Sequence, residues 1–354
     1  MSRVISFYPG PSRVESKVPD YMIDAYKTGI LSINHRSQAF MNLLEDTCEI
    51  LKKKLNIPES YEIYYTSSAT ECWEIIAQSA IGTSGSYHVY NGAFGEKWLH
   101  YTRALTSNCL QHPFDINEKL NVKNLKPGDK LICLTQNETS NGTQISEKLL
   151  RKIRKIFPDN LIAIDASSSM AGVHLDFNQA DIWFASVQKC FGLPSGLALI
   201  ICSPRAVEHA KSIAENRHYN SLKRIKVNMD NWQTTNTPNI LGIYLLNRVV
   251  NNRKTIKKVH GELLSRKKSW TTFFNKFDDI DFLVDNKSVR SDTVFALKSE
   301  SKLIEMLKIK ALEKDIVLGN GYGRLTENTF RIANFPAIKK KEIKILKTFL
   351  RTRK

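Results

Sequence analysis

The sequence predicts an α/β protein with a mostly parallel central sheet and crossover helices, and three observations predict it. Apolar runs of strand length alternate with segments of helical period through the first 200 residues. Some of these runs, LIAI at 161–164 above all, are apolar at every position, as in buried strands. Polar clusters follow the runs at their carboxyl ends, where ligands of open α/β sheets collect.

The elements follow in order. FMNLLEDTCEILKKKLN at 40–56 reads as an amphipathic helix. YEIYYTSSAT at 61–70 reads as a strand entering a polar turn, and ECWEIIAQSAI continues as a helix. SYHVYNGAF at 86–94 is a strand ending at Gly92, with a helix from about Gly95. LICLTQNETSNGT at 131–143 is a strand and polar turn. SEKLLRKIRKIFP at 146–158 is a helix stopped by Pro158. LIAIDASSS at 161–169, DIWFASVQK at 181–189 and GLALIICSP at 196–204 are three further strands. A second unit begins in a long helical stretch around 240–277. It holds strand candidates DIDFLV at 279–284 and DTVFALKS at 292–299, a helix SKLIEMLKIKALEKD, and finally GNGYGRL and the strand TFRIANFP. A chain of 354 residues fits two such units.

The formal net charge of +17 raises the question of nucleic acid. Residues 251–354 hold 25 Lys and Arg against 12 Asp and Glu, so most of the excess lies in the last third. In KKKEIKILKTFLRTRK at 339–354, Ile343, Leu346 and Leu350 keep helical spacing and the lysines lie mostly elsewhere. A solvated helix face accounts for this, and no nucleic-acid motif accompanies it, so no nucleic-acid partner is expected. The six cysteines form no CxxC pair and read as buried free thiols of a reducing cytoplasm. The N-terminus MSRVISFYPGPSRV has no apolar core of a signal peptide, and no apolar run is long enough for a membrane span. A cytoplasmic location away from membranes is expected.

Four polar clusters should converge on one edge of the sheet: Ser67–Thr70, Asn137–Thr143, Asp165–Ser169 and Gln188–Lys189. TSSAT sits at a strand-to-helix turn, where free N–H groups and a helix dipole suit a phosphate, although capping alone accounts for such residues. Asp165 follows LIAI, so its carboxylate starts at the end of a buried strand and wants a cationic or hydrogen-bonding partner; a structural helix cap is the other reading. Lys189 follows WFASVQ at the end of an apolar run. Desolvation there lowers a lysine's pKa and frees the amine as a nucleophile, while a snorkelling surface lysine reads equally well on local grounds. Together, a phosphate cradle, a buried acid and a nucleophilic lysine are the protein groups that pyridoxal phosphate needs.

IDASSSMAG, SVQKCFGLPSGLALI and QNETSNGT resemble the corresponding stretches of class V (fold type I) aminotransferases, and phosphoserine aminotransferases most closely. The resemblance runs from FYPGPSRV to FRIANFP, and NHRSQAF at 34–40 is similar to the His-Arg-Ser motif of that subgroup. It implies a fold type I transferase with a large domain over 14–250 and a smaller α+β domain over 251–354 together with 1–13. It implies pyridoxal 5'-phosphate held by Lys189 as a Schiff base, with Asp165 on the ring nitrogen. Ala69 and Thr70 supply phosphate contacts, with Gln188 and Ser167 nearby; Phe94 stacks on the ring and Thr139 lies near its hydroxyl. Asn236 and Thr237 reach the phosphate of the neighbouring subunit, so a homodimer with composite sites is expected. Arg331 clamps the substrate carboxylate, and His35 and Arg36 meet the substrate phosphate across the dimer.

The implied reaction takes 3-phosphohydroxypyruvate and glutamate to phosphoserine and 2-oxoglutarate, in serine biosynthesis. One segment departs from the pattern: GNGYGRLTENTFR carries no second His-Arg pair, and its GYGRL form is similar to alanine–glyoxylate type enzymes. The alternative is therefore a class V aminotransferase for a small unphosphorylated 2-oxo acid such as glyoxylate or pyruvate. A cysteine desulfurase would need a nucleophilic cysteine in the C-terminal part, and every cysteine lies at or before Cys202. A catalytically idle relative, or a basic nucleic-acid-binding protein, is opposed by the joint presence of Lys189, Asp165 and Arg331.

Overall fold

Four apolar runs of the sequence become neighbouring strands in the middle of a seven-stranded sheet. This computed structural model describes residues 4–352; positions 1–3 and 353–354, the tips of the expected small domain, lie outside the described residues. Across the sheet the strands are Glu62–Thr66, Ala198–Cys202, Ile182–Ser186, Ile162–Asp165, Leu131–Thr135, Ser86–Tyr90 and Cys109–Pro113. All run in one direction except Ala198–Cys202, which is antiparallel to both its neighbours. Every residue of the strands 131–135, 162–165, 182–186 and 198–202 is buried. Helices on both faces require this, and each buried Ile or Leu contributes roughly 1.5–3 kcal/mol.

The helices carry their own start and stop signals. Gln38–Leu55 begins at Ser37, whose hydroxyl accepts from the Phe40 N–H, and ends at Asn56 in the left-handed conformation. Phe40, Leu44, Cys48, Leu51 and Leu55 form its buried stripe. Glu147–Ile156 is capped by Ser146 and buries only Leu150 and Ile153. The last helix, Lys340–Arg351, buries Leu346 and Leu350, half-buries Ile343 and leaves Lys340, Lys341 and Lys344 exposed. The basic C-terminal segment is thus a solvated helix face, as its spacing predicts. All six cysteines are buried free thiols.

Three features differ from the sequence reading. The edge strand Cys109–Pro113 was not anticipated, because CLQHP alternates poorly and is largely exposed. The stretch around 240–277 is two helices, Ile240–Asn252 and Ile256–Phe274, separated at Arg253. The helix expected from Gly95 begins at Ala93.

A four-stranded antiparallel sheet follows, in the order Asp281–Phe282, Val294–Lys298, Thr329–Ala333, Gly319–Asn320. The N-terminal strand Ile5–Ser6 pairs in parallel with Ile316–Val317, beside this sheet. Arg13 adds an ion pair to Glu342 of the last helix, at 2.6 Å. No helix among the described residues is long and apolar enough to cross a membrane.

Candidate active site

Register brings the polar clusters into one row. Thr66 and Ser186 both lie opposite Ala198, Asp165 lies opposite Phe184, and Thr135 lies opposite Asp165. Because these strands share a direction, their carboxyl ends share an edge, and the turns leaving them surround one cavity of about 170 Å³. Ala69, Thr70, Phe94, Thr139, Asp165, Ser167, Gln188 and Lys189 all line it. Larger hollows of about 320 and 510 Å³ lie elsewhere, and neither holds a buried carboxylate.

Lys189 stands three residues beyond its strand, in the turn, rather than at the strand's end. Its Nζ donates to Thr139 Oγ1 at 3.0 Å and lies 5.1 Å from the Phe94 ring centroid. Burial pushes its pKa down, the charges of Asp165 and Glu138 pull it back, and Arg331 lowers it further. Asp165 Oδ1 accepts from the Ser167 N–H at 2.8 Å. Burial pushes this carboxyl up, against the opposing pull of Lys189 and of the Ser167 N–H. The two groups therefore meet in a poorly solvated space that favours neither charge without a partner.

At the helix Ala69–Ser79 the turn is already partly used. Ser68 Oγ caps the Glu71 N–H at 3.0 Å, and the Ala69 N–H donates to Ser186 Oγ at 2.9 Å. Glu71 turns aside to Ser67, Tyr219 and Asn220. Thr70 stands exposed at the rim. Around the cavity, Thr135 Oγ1, Ser167 Oγ, Gln188 Oε1 and Trp73 Nε1 are buried without hydrogen-bond partners among the described residues. Four such atoms at one cavity call for a polar ligand, because an unpaired buried polar atom is costly.

Arg331 comes from the middle of the Thr329–Ala333 strand and is 3% exposed. Nη1 donates to Thr139 O at 2.8 Å and Nε to Asn320 O at 2.7 Å, while Nη2 has no partner among the described residues. Its planar fork is thus held beside the lysine's own partner with Nη2 free to donate. Tyr322 covers this corner: its ring lies 4.8 Å from Phe94, 5.5 Å from the Arg331 guanidinium carbon, and its hydroxyl accepts from Lys97 Nζ at 3.1 Å.

Of the expected residues, Arg331 adjoins the cavity through Thr139 without lining it, and four others lie away from it. Arg36 is exposed and its Nη1 bonds Gln233 Oε1 at 2.6 Å; His35 is half-buried beside it. Asn236 and Thr237 line a separate hollow with Thr66, Ser67 and Glu71. The two segments expected to serve a neighbouring subunit are therefore joined to each other through Arg36 and Gln233.

Sequence reasoning missed several site residues. Glu138 is fully buried at the amino end of the helix Ala93–Leu105 and accepts from the N–H groups of Phe94, Gly95 and Ser140 and from Ser140 Oγ. Its place in QNETSNGT, right after an apolar run, was the available signal. Ser186 and Trp73 gave none. Gly10 packs on Lys189: with φ at +148°, a Cβ there would lie 3.0 Å from Lys189 Cε, so a side chain fits poorly.

The profile of the family Aminotransferase class-V matches residues 8–301. The chain belongs to the class-V aminotransferases. It is 26% identical over 355 residues to the phosphoserine aminotransferase of Corynebacterium glutamicum, covering 95% of this chain and 91% of that one. Against the phosphoserine aminotransferase of Lactococcus lactis IL1403 the identity is 28% over 350 residues, with 88% of each chain covered. The crystal structure of a phosphoserine aminotransferase from Cytophaga hutchinsonii superposes with a TM-score of 0.93 at 29% identity over 99% of both chains. A ureidoglycine–glyoxylate aminotransferase from Bacillus subtilis shares the fold at 14% identity, with a TM-score of 0.84. This class-V aminotransferase is thus a transaminase with the fold type I architecture that its sequence predicts.

Proposed function

We propose that this transaminase binds pyridoxal 5'-phosphate on Lys189 and moves an amino group from glutamate to 3-phosphohydroxypyruvate, the phosphoserine aminotransferase reaction of serine biosynthesis. The observation that carries the reading is the Lys189 cavity, where a lysine lowered by burial shares one enclosed space with a buried acid and four unpartnered polar atoms. The residues fit the cofactor. Lys189 would hold its aldehyde, Asp165 its ring nitrogen, Phe94 one ring face and Thr139 the ring hydroxyl. Thr70, Ser167 and Gln188 offer the remaining donors for a phosphate.

When bound, the cofactor supplies an electron sink for charge developing at the substrate Cα. Lys189 Nζ takes the Cα proton of the amino donor, for which its lowered pKa suits it. Asp165, kept out of water, has reason to hold a proton donor beside it. Arg331 binds the α-carboxylate through its free Nη2 and orients the Cα–H bond. Sequence similarity to phosphoserine aminotransferases over about nine tenths of their length supports the phosphorylated acceptor, as does NHRSQAF. His35 and Arg36 would then serve the site of a second subunit in a homodimer, with Asn236 and Thr237 beside them; the domain division 14–250 and 251–354 with 1–13 belongs to the same proposal.

A second reading, a small unphosphorylated 2-oxo acid, is favoured by the missing His-Arg pair: Arg324 in GYGRL is exposed, and among the described residues it forms no ion pair or hydrogen bond with a group of the site. An acceptor panel with glutamate as donor decides between them. The expected kcat/KM is about a hundredfold or more higher for phosphohydroxypyruvate than for glyoxylate, since an anion pocket left empty loses charge-assisted bonds. Preference for glyoxylate would establish the second reading. Retained turnover in Lys189→Ala would sink both.

A further inference from the structure

The site lacks the second His-Arg pair, yet a further cation, Lys97, stands beside it. Phe94 and Lys97 lie one turn apart on the same face of the helix Ala93–Leu105. Phe94 faces Lys189, and Lys97, one turn further along the helix, is exposed beside Tyr322. Its ammonium donates to Tyr322 Oη at 3.1 Å and lies 5.8 Å from that ring's centroid. The same ring stacks on Phe94 at 4.8 Å and has the Arg331 guanidinium carbon at 5.5 Å. One aromatic ring thus ties the carboxylate-clamping arginine, the Phe94 ring and a lysine into a single corner of the site.

Among the described residues, Lys97 stands at this corner without a carboxylate partner, as many lysines of the chain do; what sets it apart is its contact with Tyr322. It forms no ion pair with an acid among the described residues, and its one polar contact is the neutral Tyr322 hydroxyl. Lys226, Lys254, Lys267 and Lys298, by contrast, each hold a carboxylate. An ammonium has three donors, and only one is occupied here. A phosphate carries acceptor oxygens for the others, and the Tyr322 hydroxyl, which accepts from Lys97, keeps its own proton to donate to the same group.

We propose that Lys97, with Tyr322 Oη beside it, is a further specificity-determining contact for the distal phosphate of the substrate, contributed by the same chain as the carboxylate clamp Arg331 and acting alongside His35 and Arg36 of the second subunit. The inference rests on the phosphorylated-acceptor reading above. Tyr322 links the two anion sites, so a substrate carrying both a carboxylate and a phosphate engages the whole corner, whereas glyoxylate engages Arg331 alone.

The test is steady-state kinetics of Lys97→Ala, Lys97→Arg and Tyr322→Phe with phosphohydroxypyruvate and with glyoxylate. Equilibrium titration of each holoenzyme with O-phosphoserine and with serine accompanies it. Lys97→Ala should raise KM for the phosphorylated acceptor and weaken O-phosphoserine binding about tenfold or more, with kcat nearly kept. Glyoxylate KM and serine binding should stay within twofold, and Lys97→Arg should restore most of the loss. Tyr322→Phe should show a smaller loss of the same selectivity. Lys97 is exposed, so the variants keep the fold, and their melting temperatures serve as the control. If wild type itself discriminates against phosphohydroxypyruvate, both the acceptor reading and this inference fall. If wild type prefers it and Lys97→Ala changes both acceptors equally, or neither, this inference alone falls.

Discussion

Glu138 shows how much one buried side chain organises. The helix Ala93–Leu105 starts at Gly92, which has no side chain to cap it, and the first N–H groups are met from outside. Glu138 bonds those of Phe94 and Gly95 at 3.4 and 3.2 Å, and Ser140 Oγ takes that of Ala93 at 3.1 Å. The carboxylate therefore fixes Phe94, the residue whose ring lines the Lys189 cavity. A Cβ on Gly92 would come within 2.3 Å of Glu138 Cγ, so only glycine allows this approach. Burial raises the Glu138 pKa, while the same N–H groups pull it back. Glu138→Ala should cost about 2 kcal/mol, since the N–H groups lose a charged acceptor in a dry place. The loss should appear in thermal melts together with weaker binding of pyridoxal phosphate in an equilibrium titration; unchanged cofactor affinity would mean that Phe94 is held by other contacts.

At the scale of elements, the break between the helices Ile240–Asn252 and Ile256–Phe274 proves more than a helix end. Arg253 sits in it and reaches the loop that follows Lys189. Nη1 donates to Cys190 O at 2.7 Å, and Nη2 to Phe191 O at 2.6 Å and to Glu15 at 2.9 Å. Three chain segments far apart in sequence thus meet on one guanidinium, whose planar fork suits three acceptors at once. In the loop 190–192, Arg253 takes the Cys190 and Phe191 carbonyls, and the Glu15 N–H takes that of Gly192. Arg253→Ala should destabilise the protein by about 3 kcal/mol, because it leaves a partly buried Glu15 and two carbonyls without their cation. Chemical denaturation measures the loss. Arg253→Lys should recover only part of it, and full recovery would show that charge matters here and fork geometry does not.

For the whole molecule, the division of expected residues between the Lys189 cavity and the exterior has a direct consequence. Arg36 joins Gln233, and Asn236 and Thr237 lie three and four residues further on, away from the chain's own lysine. In the proposed composite dimer each of these groups works on the partner's site. Lys189→Ala and Arg36→Ala would each be poorly active with phosphohydroxypyruvate alone. Mixed and allowed to exchange subunits, they should regain about a quarter of wild-type activity, because half of the molecules become mixed dimers with one intact site each. No regain on mixing, with exchange verified by differently tagged subunits, would place Arg36 in its own chain's site or outside any site.

Local sequence determined a large share of this protein. Capping residues, apolar stripes and uniformly apolar strands depend on neighbours within a turn or a pleat, so the helices at 38–55, 69–79 and 147–156 and the buried strands were legible from the chain alone. So was the row of polar clusters after those strands, since direction and length place strand ends without any tertiary knowledge. The tertiary structure decided what those clusters meet. Arg331 gained Thr139 from a residue 192 positions away, and Lys97 gained Tyr322 across 225. The exposed edge strand Cys109–Pro113 carries too little apolar pattern to be read, and it exists because Ser86–Tyr90 offers it a hydrogen-bonding partner. Pairings of this kind follow from chain topology and side-chain reach, which no window of sequence contains.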